Sequence, residues 1–444
     1  MFGAKPSVRE DDMTTTPRDD GRLADLEQLL DVARQLGATV ELDPLLAAIA
    51  AAATSLLDCE RATVFLLDRK AGELSSRLAT GIAGSPIEEI RFPVTLGIAG
   101  EVARTGAAIN IPDAYADPRF YPEFDRRSGY RTRSMLTIPL IAHDGATVGV
   151  LQLLNKLGGL FAARDEEIAG FLGTQAGVAI HRQLLLEQFA VKQRIERDLN
   201  IARDIQRGLL PRNPPVIPGF DIAGWNRPAD ETGGDYYDFM PVDGGGLAIT
   251  IADATGHGIG PALVVSETRA LFRAVVLHKP DLQRAVNEVQ ALLSQDLPEG
   301  RFVTAFFGVL SPERHTITYV SAGQGPLLAY AADDARFTEL PSQGLPLGFV
   351  PELEYEPAVD HVLEPGDMLV LLTDGFFEWA NAADEPFGSE RVTELVHRHR
   401  DASAAELIDM LYRAVVDFSG GTPQGDDLTA VIIKRLKEKK SPRS

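Results

Sequence analysis

Four stretches of the chain place an aspartate where an apolar run begins or ends. Leu247-Ala-Ile-Thr-Ile-Ala runs into Asp253, and Met368-Leu-Val-Leu-Leu-Thr runs into Asp374-Gly375. Gly233-Gly234-Asp235 precedes the run Tyr236–Pro241, and Gly425-Asp426-Asp427 precedes Leu428–Ile433. Such runs read as buried β-strands. Antiparallel pairing brings strand starts and strand ends to one edge and would collect these carboxylates there. Ionised carboxylates held together repel one another. Hard divalent cations with oxygen ligands relieve that repulsion, and carboxylates with water suit Mg²⁺ or Mn²⁺. A two-ion site can activate water against phosphorus, a reaction that is extremely slow without a catalyst. Taken singly, each aspartate reads first as a turn residue, and Asp426-Asp427 as a solvated strand end. The joint pattern is what points to chemistry.

The elements that must position these residues follow from periodicity. Strands are expected at Phe220–Trp225, Tyr236–Pro241, Leu247–Ala252, Phe302–Leu310, Thr316–Val320, Met368–Thr373 and Leu428–Ile433. Helices are expected at Leu263–Val276, Asp281–Leu293 and Ala404–Phe418, the last with an apolar stripe of Ala404, Leu407, Ile408, Leu411 and Val415. Strand runs flanked by helix pairs predict a layered α+β sandwich. Upstream, helices are expected over Leu23–Leu36 and Pro44–Leu57. Strands follow at Ala62–Leu67, Leu74–Ala79, Met135–Ile141 and Thr147–Leu154, with a short helix at Gly97–Arg104. From Arg164 to Leu210 there is no proline, which predicts one helix of about 45 residues, near 70 Å at 1.5 Å per residue. Its first part should pack on the N-terminal domain. Its second part carries a coiled-coil-like stripe of Val191, Ile195, Leu199, Ala202, Ile205 and Leu209, and Pro211, Pro214 and Pro215 end it.

Charge divides the chain at the same place. Across 444 residues there are 43 Lys+Arg and 64 Asp+Glu, a formal charge of −21. Residues 213–433 hold 34 acidic and 12 basic residues, and the remainder is nearly neutral. A step of that size supports a domain boundary near residue 212. It argues against a nucleic-acid binder and against docking on an anionic membrane surface. No apolar run approaches the roughly 18–20 residues that span a bilayer. The polar start, Met1 to Gly21, lacks the apolar core of a secretory signal and reads as a disordered tail. A soluble, cytoplasmic protein is the expectation. Cys59 is the only cysteine, so there is no intrachain disulfide and no cysteine-based zinc site, and the eight histidines are scattered. Cys59 itself reads as a small buried residue. The expected organisation is a tail over 1–21, a helix and sensor domain over 22–185, a linker helix over 186–212, a catalytic domain over 213–436 and a basic tail over 437–444.

Four motifs then occur in order: Gly233-Gly234-Asp235-Tyr236-Tyr237-Asp238, Ile251-Ala-Asp253-Ala-Thr-Gly256-His257-Gly258, Thr373-Asp374-Gly375-Phe-Phe-Glu378 and Asp426-Asp427-Leu-Thr429. With Ala202-Arg-Asp-Ile-Gln206-Arg-Gly-Leu-Leu-Pro211, Ser321-Ala-Gly-Gln-Gly-Pro326 and Gly344-Leu-Pro-Leu-Gly348, the region 200–436 resembles the SpoIIE-type branch of the PPM (type 2C-like) metal-dependent serine/threonine phosphatases. The resemblance implies an α-β-β-α sandwich, two Mn²⁺ or Mg²⁺ ions, and water as nucleophile. It implies that Asp253 bridges the ions with the Ala254 carbonyl as a further ligand. Asp235 would ligate one ion, and Asp374 and Asp426 would hold the other. Asp427 would stand behind the ligands or act as an alternate one. Asp253 and Asp235 are thus the catalytic expectation. Asp238 and Glu378 are expected to serve local structure. His257 fits a general acid or a turn equally, and Gln324 stands where many members of this branch have a histidine. The substrates implied are phosphoserine or phosphothreonine on a small anti-anti-sigma (STAS-type) protein, in partner-switching control of a sigma factor.

Residues 40–185 resemble a GAF domain, an antiparallel sheet with helices. The matching pieces are Arg61-Ala-Thr-Val-Phe-Leu-Leu-Asp68, Asn110-Ile-Pro-Asp-Ala-Tyr115, Ser134–Leu140 and Val148-Gly-Val-Leu-Gln-Leu-Leu-Asn155. Asn155, Lys156, Phe161 and Asp165-Glu166 have the order of the signature found in cyclic-nucleotide-binding GAF domains. There, Lys156 and Asp165 would form a structural ion pair that marks the pocket type; GAF domains take cyclic nucleotides, other ligands or none. The combined expectation is a GAF-regulated phosphatase, dimeric through a parallel pairing of the long helix. Helix repacking near Ile205–Leu209 would reposition the elements around Asp235 and Asp253. Two readings compete with it: a ligand-binding scaffold whose phosphatase fold no longer turns over, and a hydrolase for small phosphoesters.

Overall fold

The structure is a computed structural model that describes residues 17–76, 90–277 and 281–437, with the side chains of residues 17–26 and of Ser128 outside that description. It divides into two compact units, 1–193 and 194–444, with the division falling inside one helix.

The first unit contains α1 (Pro17–Ala38), α2 (Leu42–Leu56), β1 (Cys59–Asp68), β2 (Glu73–Ser76), β3 (Ile90–Pro93), α3 (Gly97–Thr105), β4 (Ile109–Ile111), α4 (Glu123–Ser128), β5 (Met135–Ile141), β6 (Thr147–Lys156) and the start of α5 (Ala163–Leu209). The strands form one antiparallel sheet in the order β3-β2-β1-β6-β5-β4. One face packs on α2 and α5 through Leu45, Ile49, Leu151, Leu172 and Ile180. Cys59 lies in this core, buried, with its thiol pushed up to about 11 by that burial. The disordered tail expected over 1–21 needs correcting at its end. α1 already begins at Pro17, where proline's fixed φ suits a first helical turn. Residues 1–16 and 438–444, like the outer half of the strand expected over Leu74–Ala79, lie outside the described residues.

The second unit contains β7 (Phe220–Arg227), β8 (Asp235–Val242), β9 (Gly246–Ala254), α6 (Ile259–Val276), α7 (Leu282–Asp296), β10 (Val303–Ser311), β11 (Thr316–Ala322), β12 (Leu327–Ala331), β13 (Arg336–Leu340), β14 (Val359–Val362), β15 (Met368–Leu372), α8 (Gly375–Glu378), α9 (Gly388–Arg398), α10 (Ala404–Ser419) and β16 (Leu428–Arg435). Two antiparallel sheets form, β14-β11-β10-β9-β8 and β13-β12-β15-β16-β7. Their inner faces meet through Ile249, Ile251, Phe306, Tyr319, Leu371 and Val431. α6 and α7 cover the outer face of the first sheet through Val265, Phe272, Val289 and Leu293. α9 and α10 cover the second through Val392, Leu407, Leu411 and Val415. This is the α-β-β-α sandwich that the resemblance implies, and a case of the layered α+β sandwich expected from the pattern. A Ser403–Glu406 capping box starts α10, and Gly420 at φ 61° ends it.

β12, β13, β14 and α9 were not expected. β13 mixes exposed and half-buried residues over only five positions, too few for periodicity to register. β12 is apolar throughout but follows the Gly325-Pro326 turn, which reads as loop.

α5 packs backbone against backbone on β5. A Cβ at Gly177 would lie 2.3 Å from the Ile141 carbonyl oxygen, whereas one at Gly170 would meet nothing within 4 Å. Gly177→Ala should therefore cost about 1–3 kcal/mol through overpacking, seen in calorimetry as earlier melting of the first unit. Gly170→Ala should leave stability unchanged or raise it by up to about 1 kcal/mol.

Candidate active site

Asp235 opens β8 and Asp253 nearly closes β9, and the antiparallel register sets them directly opposite one another. Each lies at a strand end because the apolar residues beside it fill the sandwich. Asp235 is buried, and its Oδ2 accepts hydrogen bonds from the Thr373 hydroxyl at 2.7 Å and the Thr429 hydroxyl at 2.6 Å. Both threonines belong to the second sheet's strand ends, so Asp235 ties the two sheets together. Asp374 follows β15 and stands at the start of α8. Asp426, half-buried, precedes β16, and its Oδ1 accepts from the Asp427 N–H at 2.8 Å.

Asp427 is held differently. Its Oδ1 accepts from the Ala229 N–H at 2.7 Å, and its Oδ2 from the Gly234 and Asp235 N–H groups at 2.5 and 3.2 Å. Its carboxylate organises the loop that delivers Asp235. The glycines before Asp235 are a steric consequence. A Cβ at Gly233 would lie 2.5 Å from the Asp427 Oδ2, and one at Gly234 would lie 2.7 Å from the Ala254 carbonyl oxygen.

Burial, together with the charges of Asp253 and Asp427, holds the Asp235 carboxyl well above the ordinary carboxylate range. Burial and then Asp374 and Asp426 push Asp253 up to about 8. Burial, Asp426 and Glu378 push Asp374 up to about 6. These groups therefore feel one another across both sheets. Among the described residues, no three His, Cys, Asp or Glu side chains are gathered around one point as a ready-made ion site. The donor chemistry nonetheless fits hard divalent cations. It consists of carboxylates and the Ala254 carbonyl, with mutual repulsion that a cation would relieve.

The remaining expected residues are placed as follows. Asp238 is buried against Arg273, at 2.5 Å to Nε, and Arg269, at 3.2 Å, which fastens α6 to β8. Glu378 is exposed on α8. His257 lies in the turn after β9, with Nδ1 2.6 Å from the Asp230 carboxylate. Gln324 is buried and structural, donating to the Leu372 carbonyl and accepting from the Thr304 hydroxyl. Gln206, in the last turns of α5, was not singled out for a site role. Its amide donates to the Gly233 carbonyl at 2.6 Å and accepts from the Gly233 N–H at 3.1 Å.

In the first unit, Lys156 and Asp165 form an ion pair at 3.0 Å, and Lys156 also donates to the Leu57 carbonyl. The Phe161 ring is buried in the core, while its carbonyl accepts from Asn110. Asn155, at φ 58°, donates to the Tyr130 hydroxyl and accepts from the Arg133 N–H. Tyr130 in turn lines a cavity of about 470 Å³ with Phe65, Phe92, Phe124, Arg61 and Arg127. Asn155, Lys156, Phe161 and Asp165 thus brace the cavity from behind and do not line it.

Known proteins resolve what this arrangement is. The family model "Stage II sporulation protein E (SpoIIE)" matches residues 243–436, and the model "GAF domain" matches residues 41–180. The phosphoserine phosphatase RsbU of Bacillus subtilis is 30% identical over 250 residues, covering 55% of this chain and 72% of RsbU. The chain belongs to the SpoIIE-type PPM phosphatases. It is a hydrolase of that class, with an N-terminal GAF domain, and the class depends on divalent metal. A probable 3',5'-cyclic phosphodiesterase of Caenorhabditis elegans, pde-5, is 33% identical over 187 residues; the match covers 40% of this chain and a quarter, 25%, of that protein. Among solved structures, the SiaA PP2C domain of Pseudomonas aeruginosa is similar, with 24% identity, a TM-score of 0.47, and coverage of 56% of this chain and 98% of that one. No helix among the described residues is long and apolar enough to cross a membrane.

The two hydroxyls on Asp235 are the hydrogen-bond donors that make its burial tolerable. Replacing both, Thr373→Val with Thr429→Val, should destabilise the second unit by about 1–3 kcal/mol in urea unfolding. The divalent-metal requirement of the variant should also rise.

Proposed function

We propose that this protein removes phosphate from phosphoserine or phosphothreonine on a small STAS-type anti-anti-sigma protein, under control of its GAF domain. The observation that carries the reading is the register of Asp235 against Asp253, with Asp374 and Asp426 brought in from the second sheet. RsbU, a phosphoserine phosphatase, supports the choice of substrate. In this reading Asp235, Asp253, Asp374, Asp426 and the Ala254 carbonyl hold two Mn²⁺ or Mg²⁺ ions, and Asp427 holds the loop. When bound, the ions would supply an activated water. The chain's own work is to fix the carboxylates on strand ends and hold the loop glycines rigid.

Control is proposed to run along α5. Near its start α5 carries core residues of the sensor, Leu172 and Ile180, and near its end Gln206 grips Gly233, two residues before Asp235. Exposed Leu185, Phe189, Val191, Ile195 and Ile205 suit pairing with a second copy in a parallel homodimer. The stripe expected from sequence is split, because Ala202 and Leu209 are half-buried in the second unit while Ile205 is exposed. The sensor cavity, with aromatic walls and arginines, suits a ligand that stacks a ring and carries an anionic group. A cyclic nucleotide has that chemistry.

Manganese-dependent hydrolysis of p-nitrophenyl phosphate should fall to background in Asp253→Ala while the fold is retained. The wild type should also dephosphorylate a phosphorylated STAS protein; turnover of the small ester with the phosphoprotein left intact would replace this reading with a small-ester hydrolase. Inserting two residues after Leu199 should abolish any change in rate that cyclic nucleotide produces. An undiminished response in that variant would remove α5 as the route.

A further inference from the structure

The phosphatase unit faces an electrostatic difficulty. Residues 213–433 carry 34 acidic and 12 basic residues, and the substrate is an anion. Two divalent ions only balance Asp235, Asp253, Asp374 and Asp426, so attraction for the phosphoryl group must come from elsewhere. Most arginines in this unit are already committed: Arg269, Arg273, Arg284, Arg391 and Arg398 each lie on a carboxylate.

Arg301 is different. It is exposed, and among the described residues no carboxylate lies within ion-pair distance of it. Its one hydrogen bond runs from Nη1 to the Thr255 carbonyl at 2.5 Å, two residues beyond Asp253. Its backbone is fixed as well. The Arg301 N–H closes a turn onto the Pro298 carbonyl at 3.1 Å. The next residue, Phe302, exchanges hydrogen bonds with Thr255, at 3.1 Å from the Thr255 N–H and 3.3 Å to its hydroxyl. The guanidinium fills the space beside Gly256, at φ 89°, where a Cβ would lie 2.8 Å from Nη1. Gly256 in turn touches the loop of Asp235, since a Cβ at Gly234 would lie 3.0 Å from the Gly256 carbonyl oxygen. A chain of close contacts therefore links Arg301 through Gly256 to Gly234 and Asp235. One N–H is spent on Thr255, and the rest of the fork is free for a planar, doubly hydrogen-bonded oxyanion.

We propose that Arg301 binds the phosphoryl oxygens of the substrate at the mouth of the carboxylate cluster, supplying the positive charge that the acidic surface withholds. This rests on the phosphatase reading of the site. It makes Arg301 a substrate-binding residue in addition to a brace for Thr255.

Arg301→Gln keeps a donor for the Thr255 carbonyl and removes the charge, while Arg301→Lys keeps the charge and loses the fork. With manganese and p-nitrophenyl phosphate, Arg301→Gln should raise KM about tenfold and leave kcat within about twofold, with Arg301→Lys in between. Inorganic phosphate, titrated calorimetrically into the manganese-loaded protein, should bind about tenfold more weakly to Arg301→Gln. Unchanged KM and unchanged phosphate affinity would overturn the proposal, even with a fall in kcat, because they would leave Arg301 only a brace. A wild type that turns over no ester would defeat the phosphatase reading instead, and the phosphate titration would still decide Arg301.

Discussion

The second unit is organised around one unfavourable act, the burial of carboxyl groups that repel one another. Asp235 faces Asp253 across paired strands, and Asp374 and Asp426 approach from the other sheet. An isolated buried carboxylate is costly, and several together are more so. The surrounding sandwich offsets that cost with directed donors. Two threonine hydroxyls serve Asp235, and three backbone N–H groups serve Asp427. The paired glycines before Asp235 follow from the same requirement, since any side chain there would collide with Asp427 or the Ala254 carbonyl.

Six neighbouring aspartates therefore have unequal parts. Asp427 spends both oxygens on the backbone and shapes the loop. Asp238 is buried against Arg269 and Arg273 and secures α6. Asp235, Asp253 and Asp374 are all held above the ordinary carboxylate range, by burial first and then by neighbouring charges. That is the condition a divalent cation reverses.

The same loop is also where α5 ends. Gln206 grips Gly233 through both amide atoms, and Arg203 donates to the Glu231 carbonyl. A helix that contributes core residues to the GAF domain thus also contributes a hydrogen-bonded clip to the segment that delivers Asp235. In the GAF domain itself Asn155 has an analogous position, supporting Tyr130 from behind a cavity that it does not line.

Much of this was legible in sequence, for identifiable reasons. β5 and α5 emerge at or within a residue of expectation, because one is a continuous apolar run and the other a proline-free stretch of helical spacing. Asp235 and Asp253 stand out because each borders an apolar run. Short edge strands such as β13 and β14 escaped, since four or five residues cannot establish a period. Thr373 and Thr429 could not be singled out, because their partner Asp235 lies 138 and 194 residues away and only the closing of the two sheets brings them together. Arg301 reads in sequence as one more charged residue before a strand. Only the folded turn sets it against Gly256 and the Thr255 carbonyl, and among the described residues no carboxylate lies within ion-pair distance of it. Local pattern, which needs no distant partner, determined the elements and the aspartates at their ends. Which side chains meet was decided by long-range packing, which no local pattern encodes.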